Sequence, residues 1–220
     1  MNTPTLYLDL VILLASVFPS GFSSSLSSVF RKKKEEIIDG TALSFNFLPF
    51  LILLPVIFIL KKNLFFFNFP PAVFYFIALV FVPVCLLLEY ILNVIYIYFT
   101  TGKIYKGITL HSAWKTKPSI TYLLLLTLIA GGEELIYRQV WFAILAGTFH
   151  LPVIVIILIT SLFYGLNHLY FGLNSVLAKF ISGCVYGGLY VLSGYSILVP
   201  IITHVLQNLI LIFITREKNA

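Results

Sequence analysis

The sequence predicts an all-α fold, a polytopic helical bundle in a membrane with about seven transmembrane helices. Three observations carry that expectation. Of the 220 residues 60% are hydrophobic and 10% are charged, with a mean hydropathy of +1.04, whereas soluble domains carry roughly 25% charged residues. The apolar residues gather into runs of about 20, the length that crosses a hydrocarbon core. Most of the basic residues crowd into Arg31 to Lys34, Lys103 to Lys117 and the tail with Arg216 and Lys218, as orientation signals of membrane proteins do. The net charge of +6 is therefore assigned to the membrane surface, and nucleic acid is not expected as a partner.

Taken in order, the candidate spans are residues 4 to 22, 41 to 60, 69 to 99, 118 to 146, 152 to 170, 174 to 193 and 195 to 214. The first is interrupted by Asp9, Pro19 and Gly21 and suits a bent or partly interfacial helix. No basic residue precedes its apolar core and no small-residue cleavage pattern follows, so it is expected to remain in the protein. The third is too long for a straight crossing and contains Pro83, which calls for a tilt or a kink. Glu89 within it reaches either the polar centre or an interface. The stretch from Thr101 to Lys117, with Tyr105, His111 and Trp114, suits an amphipathic segment on the inner surface. With seven spans the basic loops share one side, so the N-terminus lies outside and the C-terminus in the cytoplasm. Lys61 and Lys62 run against that pattern. Cys85 and Cys184 both stand in apolar runs and read as small buried hydrophobes rather than a disulfide or a metal site.

The chemistry concentrates in Gly131-Gly132-Glu133-Glu134-Leu135-Ile136-Tyr137-Arg138, three charges inside an apolar run. Charges at bilayer depth cost several kcal/mol each, so they need a partner or a task. Glu134 and Arg138 are spaced i,i+4 and face one another on a helix, while Glu133 is turned by about 100° to a neighbouring face. One carboxylate is then paired and the other is available as a proton acceptor, the requirement for a general base. The same residues could also form a purely structural network that pins helices together.

Polar residues recur on two later helices. Tyr164 and His168 are spaced i,i+4 in the fifth span, with Asn167 between them, and His204 and Asn208 are spaced i,i+4 in the seventh. Each histidine alone could be a hydrogen-bonded core residue. Three helices that each bring a polar pair into hydrocarbon are expected to converge, because no water satisfies them there. A carboxylate base, two imidazoles and an amide suit hydrolysis of an acyl bond, with Glu activating water and the donors holding the oxyanion. Counting by rise, Glu133 falls near the midplane and His168 near the inner end of its span, which a kink at Gly131-Gly132 or a shifted fifth helix would reconcile.

In their order along the chain, Glu133-Glu134-x-x-x-Arg138, the aromatic-preceded His168 and His204-x-x-x-Asn208 resemble the CPBP family of intramembrane proteases. That family includes the CAAX prenyl endopeptidases and the bacteriocin-processing and self-immunity (Abi-like) proteins. The resemblance covers about residues 118 to 214. It departs at Tyr164, where the family usually has Phe; Phe163 stands beside it, and Tyr keeps the ring. The resemblance implies a helical bundle with its catalytic residues in a membrane cavity. It implies that Glu133 activates water with help from His168, that His204 and Asn208 hold the oxyanion, and that Glu134 and Arg138 orient the site. No cofactor is implied, and the substrate would be a peptide or a membrane protein.

The chain then divides into N-terminal helices with an amphipathic loop (1 to 117), a catalytic core (118 to 214) and a cytoplasmic tail (215 to 220). The expected location is the plasma membrane, and the richness in Phe, Ile, Leu, Lys and Asn suits a low-GC bacterium, in which a prenylated substrate is less expected. Two other functions fit the same residues. One is a non-catalytic self-immunity or sensor-regulating protein on the same scaffold; the other is a small transporter, for which an inverted repeat is expected and none is visible. One Glu and two His could also hold a catalytic zinc, but the two histidines stand on separate helices and His-Glu-x-x-His is lacking, so zinc is the weaker expectation.

Overall fold

A computed structural model describes residues 3–21, 23, 40–103 and 119–215. Among them every regular element is helical. The order is α1 (Thr3–Ala15), α2 (Gly40–Leu60), α3 (Ala72–Thr101), α4 (Ile120–Glu134), a π-helical turn (Leu135–Val140), α5 (Trp141–Gly147), α6 (Val153–Leu166), α7 (Leu173–Leu192) and α8 (Leu198–Thr215). Short 3₁₀ turns lie at Lys62–Leu64 and Leu169–Phe171. Arg31 to Lys34, the amphipathic stretch beyond Lys103, and Arg216 and Lys218 lie outside the described residues.

Four segments are long and apolar enough to cross a membrane: Leu43–Leu60, Ala72–Thr101, Ile120–Gly147 and Leu173–Leu192. Three shorter apolar helices, Thr3–Ala15, Val153–Leu166 and Leu198–Ile214, stand where the other spans were expected. The all-α membrane bundle is thus the observed fold, with two helices shorter than the apolar runs that contain them. The first run continues to residue 22 but α1 stops at Ala15, ahead of Pro19. The fifth continues to residue 170 but α6 stops at Leu166, because the chain turns through Leu169–Phe171 and re-enters a helix at Leu173, after Gly172. Gly172 has φ +96°, open to glycine and strained for other residues. Pro83 lies within α3, whose 30 residues run about 45 Å and so exceed a hydrocarbon core unless tilted.

Small residues set the closest helix approaches, as expected where lipid supplies no hydrophobic drive between helices. A Cβ on Gly165 of α6 would stand 2.7 Å from the Val176 carbonyl oxygen of α7, and one on Gly183 of α7 would stand 3.0 Å from Ser161 Cα of α6. Gly132 plays the same part between α4 and α2, where an added Cβ would meet the Phe50 ring at 2.7 Å. Around these contacts the core is aromatic, with Tyr137, Trp141, Phe142, Tyr164, Tyr186 and Tyr190 buried together. The outer surface carries Leu14, Ile59, Phe76, Phe99, Ile154 and Leu192, apolar and exposed as a lipid-facing surface requires.

Two charges that looked anomalous in the sequence are explained by their partners. Asp9 is fully buried and accepts from Lys61 and, at 2.7 Å, from Thr148 Oγ1, so it ties α1 to the ends of α2 and α5. Lys61 is therefore an ion-pair member rather than an orientation signal. Glu89 on α3 accepts from Lys179 Nζ at 2.8 Å and Ser182 Oγ at 2.9 Å, both on α7, a helix-to-helix pair that neither of its two sequence readings named. Cys85 is buried and Cys184 half-buried, and neither is in a disulfide.

Candidate active site

The charged segment lies where α4 gives way to the π-turn. Trp141 N–H bonds back to the Ile136 carbonyl, five residues away, and the wider turn places Ile136, Tyr137, Arg138, Gln139 and Val140 all inside the protein. Such π-turns are rare and recur at functional sites. The irregularity falls just after the glycine pair rather than at it.

Arg138 is fully buried and paired with Glu134 as the i,i+4 spacing predicts, with Nε 3.3 Å from Oε2 and Nη1 3.4 Å from Oε1. Its Nη2 donates to the Gly183 carbonyl at 3.0 Å, and the guanidinium lies 4.7 Å from the Tyr164 ring centre and 5.4 Å from that of Tyr186. Glu134 has a second partner that the spacing did not reveal. Its Oε1 accepts from His204 Nδ1 at 2.8 Å. Because a carboxylate oxygen accepts, His204 carries its proton on Nδ1, and Nε2 is left to accept from the Tyr164 hydroxyl at 3.1 Å. Tyr186 stacks on the imidazole with ring centres 5.0 Å apart.

Glu133 is 3% exposed and has no Lys or Arg on it among the described residues. Oε1 accepts from Asn167 Nδ2 at 3.1 Å and from Ser20 Oγ at 3.2 Å. Oε2 lies 3.9 Å from His204 Nε2. Asn167 caps the end of α6, so the short helix ends beside Glu133. Its orientation is determined by its partners, since Oδ1 accepts from Ser20 N–H at 3.0 Å and Gly21 N–H at 2.8 Å.

Of the remaining candidates His168 touches Tyr164, and Asn208 is placed only by its position on α8. His168 follows Asn167, half-buried, with Nδ1 donating to the Tyr164 carbonyl at 2.9 Å and its ring 5.0 Å from that of Tyr164. Since a carbonyl oxygen only accepts, His168 Nε2 is the unprotonated nitrogen and can accept from water. Asn208 is half-buried on α8, one turn beyond His204. Glu133, Glu134, Arg138, Tyr164 and His204 are thus joined by direct contacts, whereas His168 joins through Tyr164 and Asn208 through its place on α8. Two contributors were not picked out from the sequence. Asn167 stands out in the sequence as a polar residue beside His168 in an apolar run, but its spacing gave it no role in the site. Ser20, 113 residues from Glu133, has no local signal. Among the described residues no three His, Cys, Asp or Glu side chains gather as a metal ion needs.

No curated protein and no solved structure matches the chain. Residues 115–210 match the model of a family described as type II CAAX prenyl endopeptidase Rce1-like, and that stretch contains the Glu-Glu-Arg, Tyr-His and His-Asn pairs. The helical core that carries this site is therefore similar to the Rce1-like CAAX protease family, as the three motifs in order led one to expect.

Proposed function

We propose that the protein is an intramembrane endopeptidase that hydrolyses a peptide bond of a membrane-associated peptide or protein with water activated by Glu133. The observation that carries this reading is the division of labour between adjacent carboxylates. Glu134 is consumed by Arg138 and His204, while Glu133 is held through Oε1 alone and keeps Oε2 toward His204 Nε2. A buried carboxylate with one oxygen uncommitted, and no Lys or Arg paired with it among the described residues, is suited to take a proton from water.

In this mechanism water binds between Glu133 Oε2 and His168 Nε2, gives its proton to Glu133 and adds to the scissile carbonyl carbon. The carbonyl oxygen gains the negative charge and is held by Asn208, which offers its amide N–H from α8; to His204, whose Nδ1 proton is committed to Glu134, we give the proton relay in place of the oxyanion role that the resemblance implied. His204, fixed by Glu134 and Tyr164, takes the proton from Glu133 and passes it to the departing amine nitrogen as the C–N bond breaks. Glu134 and Arg138 keep the imidazole in place. Catalysis needs no metal in this scheme, and zinc bound by Glu133, His168 and His204 is the reading it displaces. The family description names CAAX prenyl endopeptidases, so a peptide with a prenylated cysteine followed by three residues is the first substrate to try. We place the C-terminus and the basic loops in the cytoplasm of a plasma membrane.

The test uses purified protein and an internally quenched farnesylated peptide of that pattern. Cleavage is expected to survive exhaustive treatment with a strong chelator; loss restored by stoichiometric zinc would replace the glutamate mechanism with a metal one. Asn208→Ala is expected to lower kcat about a hundredfold with KM nearly unchanged, since one oxyanion donor is worth about 3 to 4 kcal/mol. An equal rise in KM with kcat intact would assign Asn208 to substrate binding instead.

A further inference from the structure

The family match begins at residue 115, yet the carboxylate on which the mechanism depends is held partly from the other end of the chain. Ser20 Oγ and Asn167 Nδ2 donate to the same oxygen, Glu133 Oε1, at 3.2 and 3.1 Å. The backbone N–H groups of Ser20 and Gly21 bind Asn167 Oδ1 in turn. Ser20, Asn167 and Glu133 are 8%, 2% and 3% exposed, so water competes little for these bonds. The flanking residues are docked as firmly. Trp141 Nε1 donates to Ser16 Oγ at 3.0 Å, Tyr137 OH donates to the Val17 carbonyl at 2.9 Å, and the Phe18 and Phe163 rings lie 6.1 Å apart. A side chain on Gly21 would stand 3.0 Å from the Asn167 carbonyl oxygen, so glycine permits the approach.

We propose that Ser20 and Asn167 are positioning residues of the hydrolytic site, and that the segment from Ser16 to Gly21 is a working part of it. The terminal torsion of a glutamate is broad and roughly two-fold, so an unheld carboxylate rotates and exchanges its oxygens. Two donors on Oε1 fix the plane and leave Oε2 as the oxygen that meets water and His204. This inference rests on the protease reading for its purpose but not for its geometry, and the two are tested separately.

Three variants and two readouts decide it. On the farnesylated peptide Ser20→Ala is expected to lower kcat about tenfold with KM unchanged, and Ser20→Thr, which keeps the hydroxyl, to recover turnover to within about threefold. Ser23→Ala serves as the control; its hydroxyl bonds the Pro19 and Ser20 carbonyls and Asn46 but not Glu133, and turnover should hold. The second readout needs no turnover. In membranes treated with dicyclohexylcarbodiimide, which adds to buried carboxyl groups, site-resolved mass spectrometry should show Glu133 labelled several-fold faster in Ser20→Ala than in the unmodified protein, with Ser20→Thr and Ser23→Ala unchanged. If the unmodified protein cleaves nothing but labelling still follows the Ser20 hydroxyl, the clamp stands and the protease reading falls. Labelling no faster in Ser20→Ala, or unaltered turnover in an enzyme that needs Glu133, overturns the proposal.

Discussion

Glu133→Gln is expected to abolish peptide hydrolysis, lowering kcat by at least about a thousandfold, with the amount of protein in the membrane unchanged. A positioned base contributes about 10² to 10⁴ in rate, and here loss of the base also removes the oxygen that faces His204. The substitution should be structurally mild. The Gln carbonyl oxygen can still accept from Asn167 and Ser20, and no cation on Glu133 is left without its partner among the described residues. Quantitative immunoblotting of membranes beside the peptide assay separates the two effects. Full activity in Glu133→Gln would return the Glu-Glu-Arg segment to a structural role.

Arg138→Ala is expected to do the opposite and remove the protein from the membrane before any rate can be measured. Arg138 is 0% exposed, and its loss strands the Glu134 carboxylate, the Gly183 carbonyl and two aromatic faces at once. Breaking a buried pair from one side costs about 3 to 5 kcal/mol, a large fraction of the 5 to 15 kcal/mol that typically separates folded from unfolded chains. Arg138→Lys should rescue little, because a single ammonium cannot serve Glu134 and Gly183 in the fork that the guanidinium provides. Steady-state protein and the temperature at which the detergent-solubilised protein aggregates are the measurements; normal levels of Arg138→Ala would show that Glu134 is satisfied by His204 alone.

The membrane bundle was legible because hydropathy reports what lipid surrounds, and the long runs that became α2, α3 and α7 carry that signal throughout. The same signal misplaced the ends of α1 and α6. Val17 and Phe18, and Leu169 to Phe171, are as apolar as the helices before them, so hydropathy runs on where the backbone turns. The pairing of Glu134 with Arg138 was readable from a four-residue spacing, and it is present even though Arg138 lies in a π-turn. That turn itself was not readable, since the helix before it looks regular in sequence and the packing around it decides its pitch. Contacts between distant segments escaped for a related reason. His204 on Glu134, Tyr164 on His204 and Ser20 on Glu133 join residues 70, 40 and 113 apart, and no periodicity encodes such distances. Asn167 was visible as a polar residue but carried no i,i+4 partner to give it a role; at the capped end of α6 it reaches Glu133.

Oxygen-isotope tracing in a single turnover reports whether Glu133 delivers water to the peptide bond. With enzyme in excess over the farnesylated peptide in H₂¹⁸O, a general base places one solvent oxygen in the new carboxyl terminus of the product in the first turnover and leaves the Glu133 carboxyl unlabelled. Unlabelled product with ¹⁸O appearing at Glu133 would mean that the carboxylate attacks the substrate itself, and labelled product formed at the same rate by Glu133→Gln would mean that another group activates the water.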